Sequence, residues 1–161
     1  MPSIELAAAG LLAAHAPRSV LEEATPGGVF RKAQCEHRLW VAVADDAPIG
    51  FALVTMLGDG HSHLEEIDVA PEHGRRGVGA GLVAAVLKWA RHSGHVQTTL
   101  TTFRAPPWNM PFYRRVGFEE VCAAEWSSQL RHIVAAEHAR GLLQERRCVM
   151  RCRHHPEASR C

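Results

Sequence analysis

The chain lacks a surplus of charge of either sign, and it lacks a long apolar run. Its 161 residues include 18 lysines and arginines against 17 aspartates and glutamates, which gives a formal net charge of +1 at pH 7. Nucleic acids and anionic membranes bind proteins with a clear excess of positive charge, so this balance gives no support for either partner. No apolar stretch is long enough to span a bilayer, and the apolar segment 6–16 lacks the basic leader of a signal peptide. We therefore expect neither nucleic acid nor a membrane among its partners.

Closely spaced cysteines and metal-ligand motifs are also missing. The five cysteines are an odd number and form no close pair, so we expect free thiols in a reducing cytoplasm rather than a disulfide framework. Eleven histidines are present. However, the spacings of His61 with His63, of His132 with His138 and of the adjacent pair 154–155 match no recognised ligand pattern. The sequence therefore predicts no metal site.

What is present is an alternation of helical and strand patterns. A chain of this length most simply forms one domain over residues 1–161, with residues 155–161 as a frayed tail. The segments 61–69, 77–93 and 97–102 predict a strand, a helix and a second strand, and a right-handed crossover makes such strands parallel. The other predicted helices cover 3–16, 18–23, 29–36, 109–116 and 130–143, and the other predicted strands cover 39–44, 49–57, 117–121 (or 122) and 147–153. The first two strands form a hairpin, so we expect an α/β fold with a mixed, mostly antiparallel sheet flanked by helices.

The glycine-rich segment between the strand 61–69 and the helix that follows is the most informative part of the chain. Residues 73–82 read HGRRGVGAGL. The start of a helix exposes unpaired backbone N–H groups, and Gly77 and Gly79 let a ligand lie directly against the chain. Arg75 and Arg76 add positive charge, so the segment predicts a site for phosphate. A Walker A loop needs Lys-Ser/Thr after its second glycine, and a dinucleotide fingerprint needs a third glycine where Leu82 stands, so neither fits.

This segment resembles the acyl-CoA loop of the GNAT acetyltransferase superfamily. The core of that loop is Gln/Arg-x-x-Gly-x-Gly/Ala, after a strand that ends in Val-x-Pro. Gly77 and Gly79 match its last two positions, whereas Gly74 departs from the first. The resemblance covers residues 39–153 and is strongest over 65–118. It implies a GNAT-like fold with the usual first strand missing, because the chain starts almost directly in the first helix.

The resemblance implies acetyl-CoA as the cosubstrate and no metal. In this family the CoA pantetheine pairs with the backbone of the strand before the loop, and the pyrophosphate lies on the loop amides. The strands on either side of the cofactor splay apart, which opens a slot for the acceptor. The corresponding positions are Ile67, Asp68 and Val69 for the pantetheine and Arg75, Arg76, Gly77, Val78, Gly79 and Ala80 for the pyrophosphate.

A second resemblance lies in residues 107–118, which read PWNMPFYRRVGF. The ending Tyr-x-x-x-Gly-Phe is similar to the second cofactor motif of the family, in which the tyrosine phenol protonates the leaving thiolate. This implies that Tyr113, the only tyrosine of the chain, is a general acid, and the alternative is a core aromatic residue. Asn109 either contacts CoA, as an asparagine near this position does in many members, or caps the helix.

Glu65 and Glu66 stand where the resemblance places a carboxylate near the acceptor amine. Such a group can accept the amine proton, usually through water, or bind a cationic amine. The alternative is that both are ordinary strand residues. Neighbours in a regular strand point to opposite faces, so only one would line the acceptor side, although a β-bulge would remove this alternation. His63 is an outside candidate for the same role.

Three residues after the strand 97–102 are candidates for acceptor binding. Ligands bind at the carboxyl ends of parallel strands, so Phe103 and Trp108 are expected to wall the acceptor pocket and Arg104 to hold an acceptor carboxylate. The alternative is a packed loop without a direct role.

Together these patterns predict a cytoplasmic N-acetyltransferase that moves an acetyl group from acetyl-CoA to an amine directly, in a ternary complex. No cysteine is placed as an acyl carrier, which disfavours a covalent intermediate. The alternative is a CoA-binding regulatory or interaction protein with little or no turnover. A nucleotide-phosphate module is disfavoured because a Lys-Ser/Thr pair and an acidic metal cluster are missing. The acceptor stays open among small amines, amino acids, antibiotics and proteins, and so does a homodimer.

Overall fold

The centre of the fold is a mixed sheet in which only one pair of neighbouring strands is parallel. The computed structural model describes residues 1–58 and 60–154, so the predicted tail at 155–161 lies outside the described residues. Across the sheet the strand order is β1-β2-β3-β4-β6-β5, and only β3 and β4 are parallel, which confirms the predicted mixed, mostly antiparallel sheet. In chain order the strands are β1 (Leu39–Ala44), β2 (Ala47–Leu57), β3 (His61–Val69), β4 (Gln97–Phe103), β5 (Glu119–Glu120) and β6 (Arg147–Arg153).

Helices precede, separate and flank these strands. They are α1 (Pro2–Ala9), α2 (Arg18–Leu21), α3 (Gly27–Cys35), α4 (Val78–His92), α5 (Asn109–Arg115) and α6 (Ser128–Ala139), with 3₁₀ turns at Gly10–Leu12, Pro71–His73, Ala123–Glu125 and Gln144–Arg146. The helix predicted over 3–16 is shorter than expected, since α1 ends at Ala9 and a 3₁₀ turn follows. The helix predicted over 130–143 begins earlier, because the Ser127 hydroxyl accepts a hydrogen bond from the Leu130 N–H at 3.2 Å and caps α6. Within the described residues no strand precedes α1, as the sequence predicted.

Both faces of the sheet are covered by helices. On β2, Phe51 packs in a cluster with α1 and α3, whereas its neighbour Ala52 packs in the cluster that α4 covers. On β6, Val149 packs with α6, whereas its neighbour Met150 belongs to the α4 cluster. Successive strand residues point to opposite faces, so α4 lies on one side of the sheet.

The register of the strands shows that α1, α3 and α6 share the other side. Thr55 pairs with His63, His63 with Thr99, and Thr99 with Arg151, and paired residues project from the same face. Strand residues that are an even number apart project from the same face. Thr55 therefore shares the face of Phe51, and Arg151 shares the face of Val149. The row thus belongs to the face that carries α1, α3 and α6. We name this face the front face and the α4 side the back face.

Gly50 lets β2 approach β3 closely next to the glycine-rich loop. A Cβ atom at this position would lie 2.9 Å from the Asp68 carbonyl oxygen and 3.2 Å from Val69 Cγ2. The first of these neighbours is backbone and cannot rotate away. Any side chain at residue 50 would therefore push β3 outward.

Replacing Gly50 by alanine should lower the free energy of unfolding by about 1–3 kcal/mol, the usual effect of overpacking a dense interior. Urea denaturation measures the change. Gly10→Ala is the matched control, because Gly10 has helical backbone angles and a Cβ there would have no atom within 4 Å. The control should be neutral or stabilising by up to about 1 kcal/mol. A Gly50→Ala protein as stable as the control would contradict the close approach.

Candidate active site

The parallel strands β3 and β4 pair over only part of their length. Their register runs from His61 opposite Gln97 to Leu64 opposite Leu100, although β3 continues to Val69 and β4 to Phe103. We call the space between the two strands beyond Leu64 and Leu100 the cleft. Among residues 1–58 and 60–154, the edge of β3 that faces β4 has no partner strand along the cleft, so its backbone groups can pair with an extended ligand as they would with another strand. The splaying that the sequence resemblance implied is therefore present.

The glycine-rich loop follows β3 and opens α4. Gly77 occupies the capping position before the helix with φ +85°, a left-handed conformation that glycine adopts without strain. The Gly81 N–H donates to the Gly77 carbonyl oxygen at 2.9 Å, and this is the first hydrogen bond of the helix. The amides of residues 78–80 therefore have no partner within the helix and point outward from its positive end. This is the geometry of an anion site, as predicted from the sequence.

The structure gives a physical reason for the departure at Gly74. This residue closes a 3₁₀ turn, in which its N–H donates to the Pro71 carbonyl oxygen at 3.0 Å. A Cβ atom on Gly74 would lie 3.0 Å from the same oxygen, so a long side chain would strain the turn. Arg75 and Arg76 follow with exposed side chains beside the helix N-terminus.

The two glycines within the first turn of α4 face different surroundings. A Cβ on Gly79 would lie 3.6 Å from the Phe112 ring and 3.8 Å from Val69 Cγ2, so this position faces the packed side chains between α4, β3 and α5. A Cβ on Gly81 would meet open space. A branched side chain at residue 79 would therefore crowd Val69 and Phe112 beside the helix N-terminus, whereas one at residue 81 would not.

Tyr113 lies on α5 at the open end of the cleft. Its ring packs edge-on against Phe112 and Phe118, with centroid separations of 5.0 Å and 6.0 Å. Burial, together with the nearby carboxylate of Asp68, raises the pKa of the Tyr113 phenol well above its ordinary value, although Thr102 and Arg147 act in the other direction. The phenol is therefore protonated at neutral pH, and it can donate a proton to a group in the cleft.

Asn109 does not cap α5. Trp108 occupies the capping position, and no side chain bonds to the helix N-terminus there. The Asn109 amide instead donates to the Thr102 hydroxyl at 3.2 Å. Thr102 also lies close enough to the Tyr113 phenol to lower its pKa, so Asn109, Thr102 and Tyr113 lie near one another at the end of β4. The Trp108 side chain is about half exposed.

A β-bulge brings Glu65 and Glu66 to the same face of the sheet. The register of β2 against β3 shifts after the Leu53–Glu66 pair, which leaves Glu65 as an extra residue in β3. The Thr55 hydroxyl donates to the Glu65 carboxylate, and Thr55 projects from the same face of β2 as Leu53. The alternation of a regular strand does not hold at this point, so both carboxylates lie on the front face.

Glu66 belongs to a group of three carboxylates on the front face. Asp68 lies two residues further along β3, and Glu5 approaches from α1. The Thr25 hydroxyl lies 3.1 Å from a Glu5 oxygen and 3.2 Å from a Glu66 oxygen, and so joins α1 to β3. Burial raises the pKa of both Glu66 and Asp68, and like charges nearby add to the effect. At neutral pH the buried pair therefore keeps one proton, on Glu66, and Asp68 is the member that can accept a proton or hold a cationic amine.

His63 is poorly suited to the role of base. The side chain is 2% exposed, and its Nδ1 atom lies 2.9 Å from the Thr99 hydroxyl oxygen. Burial, assisted by the charge of Arg147, lowers its pKa to about 4, so the imidazole is neutral at pH 7 and binds protons weakly. His63 lies at the end of the cleft where β3 and β4 still pair, next to the last pair, Leu64 and Leu100.

The residues expected to bind the acceptor lie in different environments. Phe103 is buried, with the His15 ring 6.5 Å away and the Arg147 guanidinium 4.6 Å above its centroid. Arg104 donates to the Glu120 carboxylate at 2.5 Å and to the Arg147 carbonyl oxygen at 2.9 Å. Its charge is therefore already balanced, which weakens the expectation that it holds an acceptor carboxylate.

Sequence reasoning missed Arg147. This guanidinium donates to the Thr101 hydroxyl at 2.7 Å and to Glu137 of α6 at 3.1 Å, and its charge acts on both His63 and Tyr113. The sequence shows only an arginine at the start of a strand that also contains Arg151 and Arg153. That signal alone does not distinguish a site residue from an edge residue.

Other site types find no support in the described part of the chain. Among residues 1–58 and 60–154, no three histidine, cysteine, aspartate or glutamate side chains gather in a way that could hold a metal ion. No helix in these residues is both long and apolar enough to cross a bilayer.

Comparisons with known proteins agree with this geometry. The family model described as acetyltransferase (GNAT) family matches residues 12–118. The PaiA N-acetyltransferase of Thermoplasma acidophilum, solved in complex with coenzyme A, is similar with a TM-score of 0.69 and 14% identity over 94% of this chain and 89% of that chain. The N-acetylglutamate synthase of Neisseria gonorrhoeae, complexed with coenzyme A and N-acetyl-glutamate, has a TM-score of 0.66 and 18% identity over 96% of this chain and 33% of that chain. Nourseothricin acetyltransferase has a TM-score of 0.55 and 26% identity over 71% of this chain and 64% of that chain.

Replacing Glu66 by glutamine should stabilise the protein increasingly as the pH rises. The raised pKa means that the folded state keeps a proton that the unfolded chain releases above about pH 4.5, so stability is lost as the pH rises toward the folded pKa. A neutral amide avoids this loss. We expect the free energy of unfolding to increase by about 1–4 kcal/mol more at pH 8 than at pH 5, since each pH unit between the two pKa values is worth up to about 1.4 kcal/mol; urea denaturation at both pH values measures the change.

Glu65→Gln is the control for this experiment, because Glu65 is the exposed neighbour in the same bulge. Its effect on stability should be small and similar at both pH values. If Glu66→Gln instead lowers the free energy of unfolding equally at pH 5 and pH 8, the Glu66 side chain stabilises the fold through its contact with Thr25, and its ionisation does not cost stability.

Proposed function

Because the chain belongs to the acetyltransferase (GNAT) family, we propose that it transfers an acetyl group from acetyl-CoA to an amine, by direct attack within a ternary complex. One observation carries the proposal, namely that three elements meet at the cleft. The strands diverge beyond Leu64, a helix N-terminus with free amides follows β3, and the Tyr113 phenol lies at the open end. Acyl transfer needs a held thioester, a deprotonated amine and a proton for the leaving thiolate. The cleft and the helix N-terminus can hold the thioester, the phenol can supply the proton, and the carboxylates on β3 can take the amine proton.

Acetyl-CoA is proposed to lie along β3 with its phosphates on the loop. The free edge of β3 at Ile67, Asp68 and Val69 offers backbone groups to the pantetheine amides. The amides of residues 75–80 and the exposed Arg75 and Arg76 side chains offer hydrogen bonds and positive charge to the pyrophosphate. The thioester would then lie near Tyr113.

In the proposed reaction the amine nitrogen attacks the thioester carbonyl carbon, and the carbon–sulfur bond breaks. The departing thiolate takes the proton of the Tyr113 phenol. The amine loses a proton to Asp68, the member of the Glu66–Asp68 pair that is ionised at neutral pH, since its pKa is raised only to about 6 whereas that of Glu66 is raised further and keeps Glu66 protonated. Glu65, on the same face, is the second candidate for this role. The Asn109 amide holds the Thr102 hydroxyl beside the Tyr113 phenol.

A direct route is favoured over a covalent acyl-enzyme. Burial raises the pKa of the thiols of Cys148 and Cys152, which keeps them protonated and poorly nucleophilic. The cysteines Cys35, Cys122, Cys148 and Cys152 are free, which supports a reducing compartment such as the cytoplasm.

Replacing Gly79 by valine should abolish acetyl-CoA binding, because the added side chain would occupy the space next to Val69 and Phe112. Gly81→Val makes the same change in the same helix but faces open space, so it serves as the matched control. In calorimetry and thermal shift, acetyl-CoA should bind and stabilise the wild type and the control, since a ligand of the native state raises its stability by mass action. Equal acetyl-CoA affinity in Gly79→Val and the wild type would contradict the assignment of the glycine-rich loop to the cofactor site.

Replacing Tyr113 by phenylalanine should lower kcat by about 10²- to 10⁴-fold and leave acetyl-CoA affinity unchanged, if the phenol is the general acid. The measurement is steady-state thiol release together with calorimetric binding of acetyl-CoA. A variant that loses affinity while kcat persists would mark Tyr113 as a packing or binding residue. If the wild type binds acetyl-CoA tightly and acetylates none of a panel of amines, the chain is a CoA-binding regulatory protein instead.

A further inference from the structure

A cavity of about 310 Å³ lies on the front face beneath α6, between that helix and the strands β4, β5 and β6. We call it the α6 cavity. Small-molecule sites in proteins span roughly 300–1,000 Å³, so this one matches the smallest of them. None of the residues assigned above to the cofactor or to proton transfer lines it. The cavity is therefore separate from the proposed acetyl-CoA site.

One part of the cavity wall is apolar and held in place. Val121, Trp126, Val134 and Val149 pack together in one cluster, which also fixes α6 on the sheet. The Trp126 indole N–H donates to the Val121 carbonyl oxygen at 3.3 Å, so the ring has a defined orientation. Leu142, which is buried, extends this wall. A rigid apolar wall binds an apolar group with little loss of side-chain entropy.

The charged residues of the wall are already paired with one another. Arg104 bonds to Glu120 at 2.5 Å, and Arg147 bonds to Glu137 at 3.1 Å. The wall thus carries two positive and two negative groups, and its net charge is zero. A charged ligand group would have to break one of these pairs or stay unpaired in a partly buried space, and both are unfavourable.

The α6 cavity and the cleft share the end of β4 as a common wall. Thr101 lines the cavity and projects from the front face, which also carries Glu66 and Asp68, whereas its neighbour Thr102 projects from the back face. Arg147 lines the cavity as well, and its charge acts on the Tyr113 phenol. A molecule with its amine in the cleft could therefore place its remaining part beneath α6.

We propose that the α6 cavity receives the non-reacting part of the acceptor and that this part is uncharged, mainly apolar and about the size of one ring. The acceptor class is thus a primary amine that carries a compact apolar group. This inference rests on the proposed function, because it names the substrate class of that same site.

The test compares three amines as acceptors for the full-length protein. They are ethylamine, which has no group for the cavity, 2-phenylethylamine, which has an apolar ring, and 1,4-diaminobutane, which carries a second charge. The value of kcat/KM for 2-phenylethylamine should exceed both others by at least about tenfold, a usual gain from an apolar pocket. Similar values for the three amines would overturn the cavity assignment and leave acetyl transfer in place.

Two substitutions at Val134 change the cavity in opposite directions. Val134→Leu reduces the space and should lower the ratio of kcat/KM for 2-phenylethylamine over ethylamine by about tenfold. Val134→Ala enlarges the space and should raise the ratio of kcat/KM for 2-(1-naphthyl)ethylamine over 2-phenylethylamine. Leu143→Ala is the control, because Leu143 is 38% exposed and lies next to the wall without lining it. Unchanged ratios in both Val134 variants would overturn the assignment.

A failure of the proposed function can be told apart from a failure of this inference. If no amine is acetylated, calorimetry with 2-phenylethylamine still tests the cavity. Binding to the wild type that is weakened in Val134→Leu supports an apolar ligand beneath α6, even though the chain is then not an active enzyme. No binding and no turnover would overturn both.

Discussion

The candidate site depends on the point at which β3 and β4 stop pairing. Leu64 is the last residue of β3 that pairs with β4, and the bulge at Glu65 follows immediately. A bulge bends its strand and increases the local twist, so one extra residue can turn β3 away from its neighbour. The same residue brings two glutamates to one face. The opening for a cofactor and the carboxylates beside it therefore have a common origin in the backbone.

Features that the local sequence encodes could be predicted. The crossover from β3 through α4 to β4 follows from apolar periodicity, and the phosphate loop follows from glycines at the start of a helix. Residue 77 adopts a left-handed backbone conformation, which favours glycine, so the sequence itself indicates this position. Tyr113 is singled out through its resemblance to the family motif Tyr-x-x-x-Gly-Phe, and its role beside the cofactor stays a prediction. In each case the signal lies within a few residues of the feature.

Features that depend on residues distant in the chain could not be predicted. Thr25 lies 20 residues from Glu5 and 41 from Glu66, yet it contacts both carboxylates, and no pattern in the sequence connects them. Arg147 meets Glu137 and the ring of Phe103 only because β6 lies beside β4 and under α6. The bulge at residue 65 contains no glycine or proline from which it could have been predicted. These arrangements result from packing of the whole sheet rather than from local propensity.

The single tyrosine of this chain has a consequence for spectroscopy. Because Tyr113 stands alone, any tyrosine-specific signal of the protein comes from the mouth of the cleft. The fluorine resonance after incorporation of fluorotyrosine would report this one site without subtraction of others. A single substitution-free label would thus detect ligands that enter the cleft.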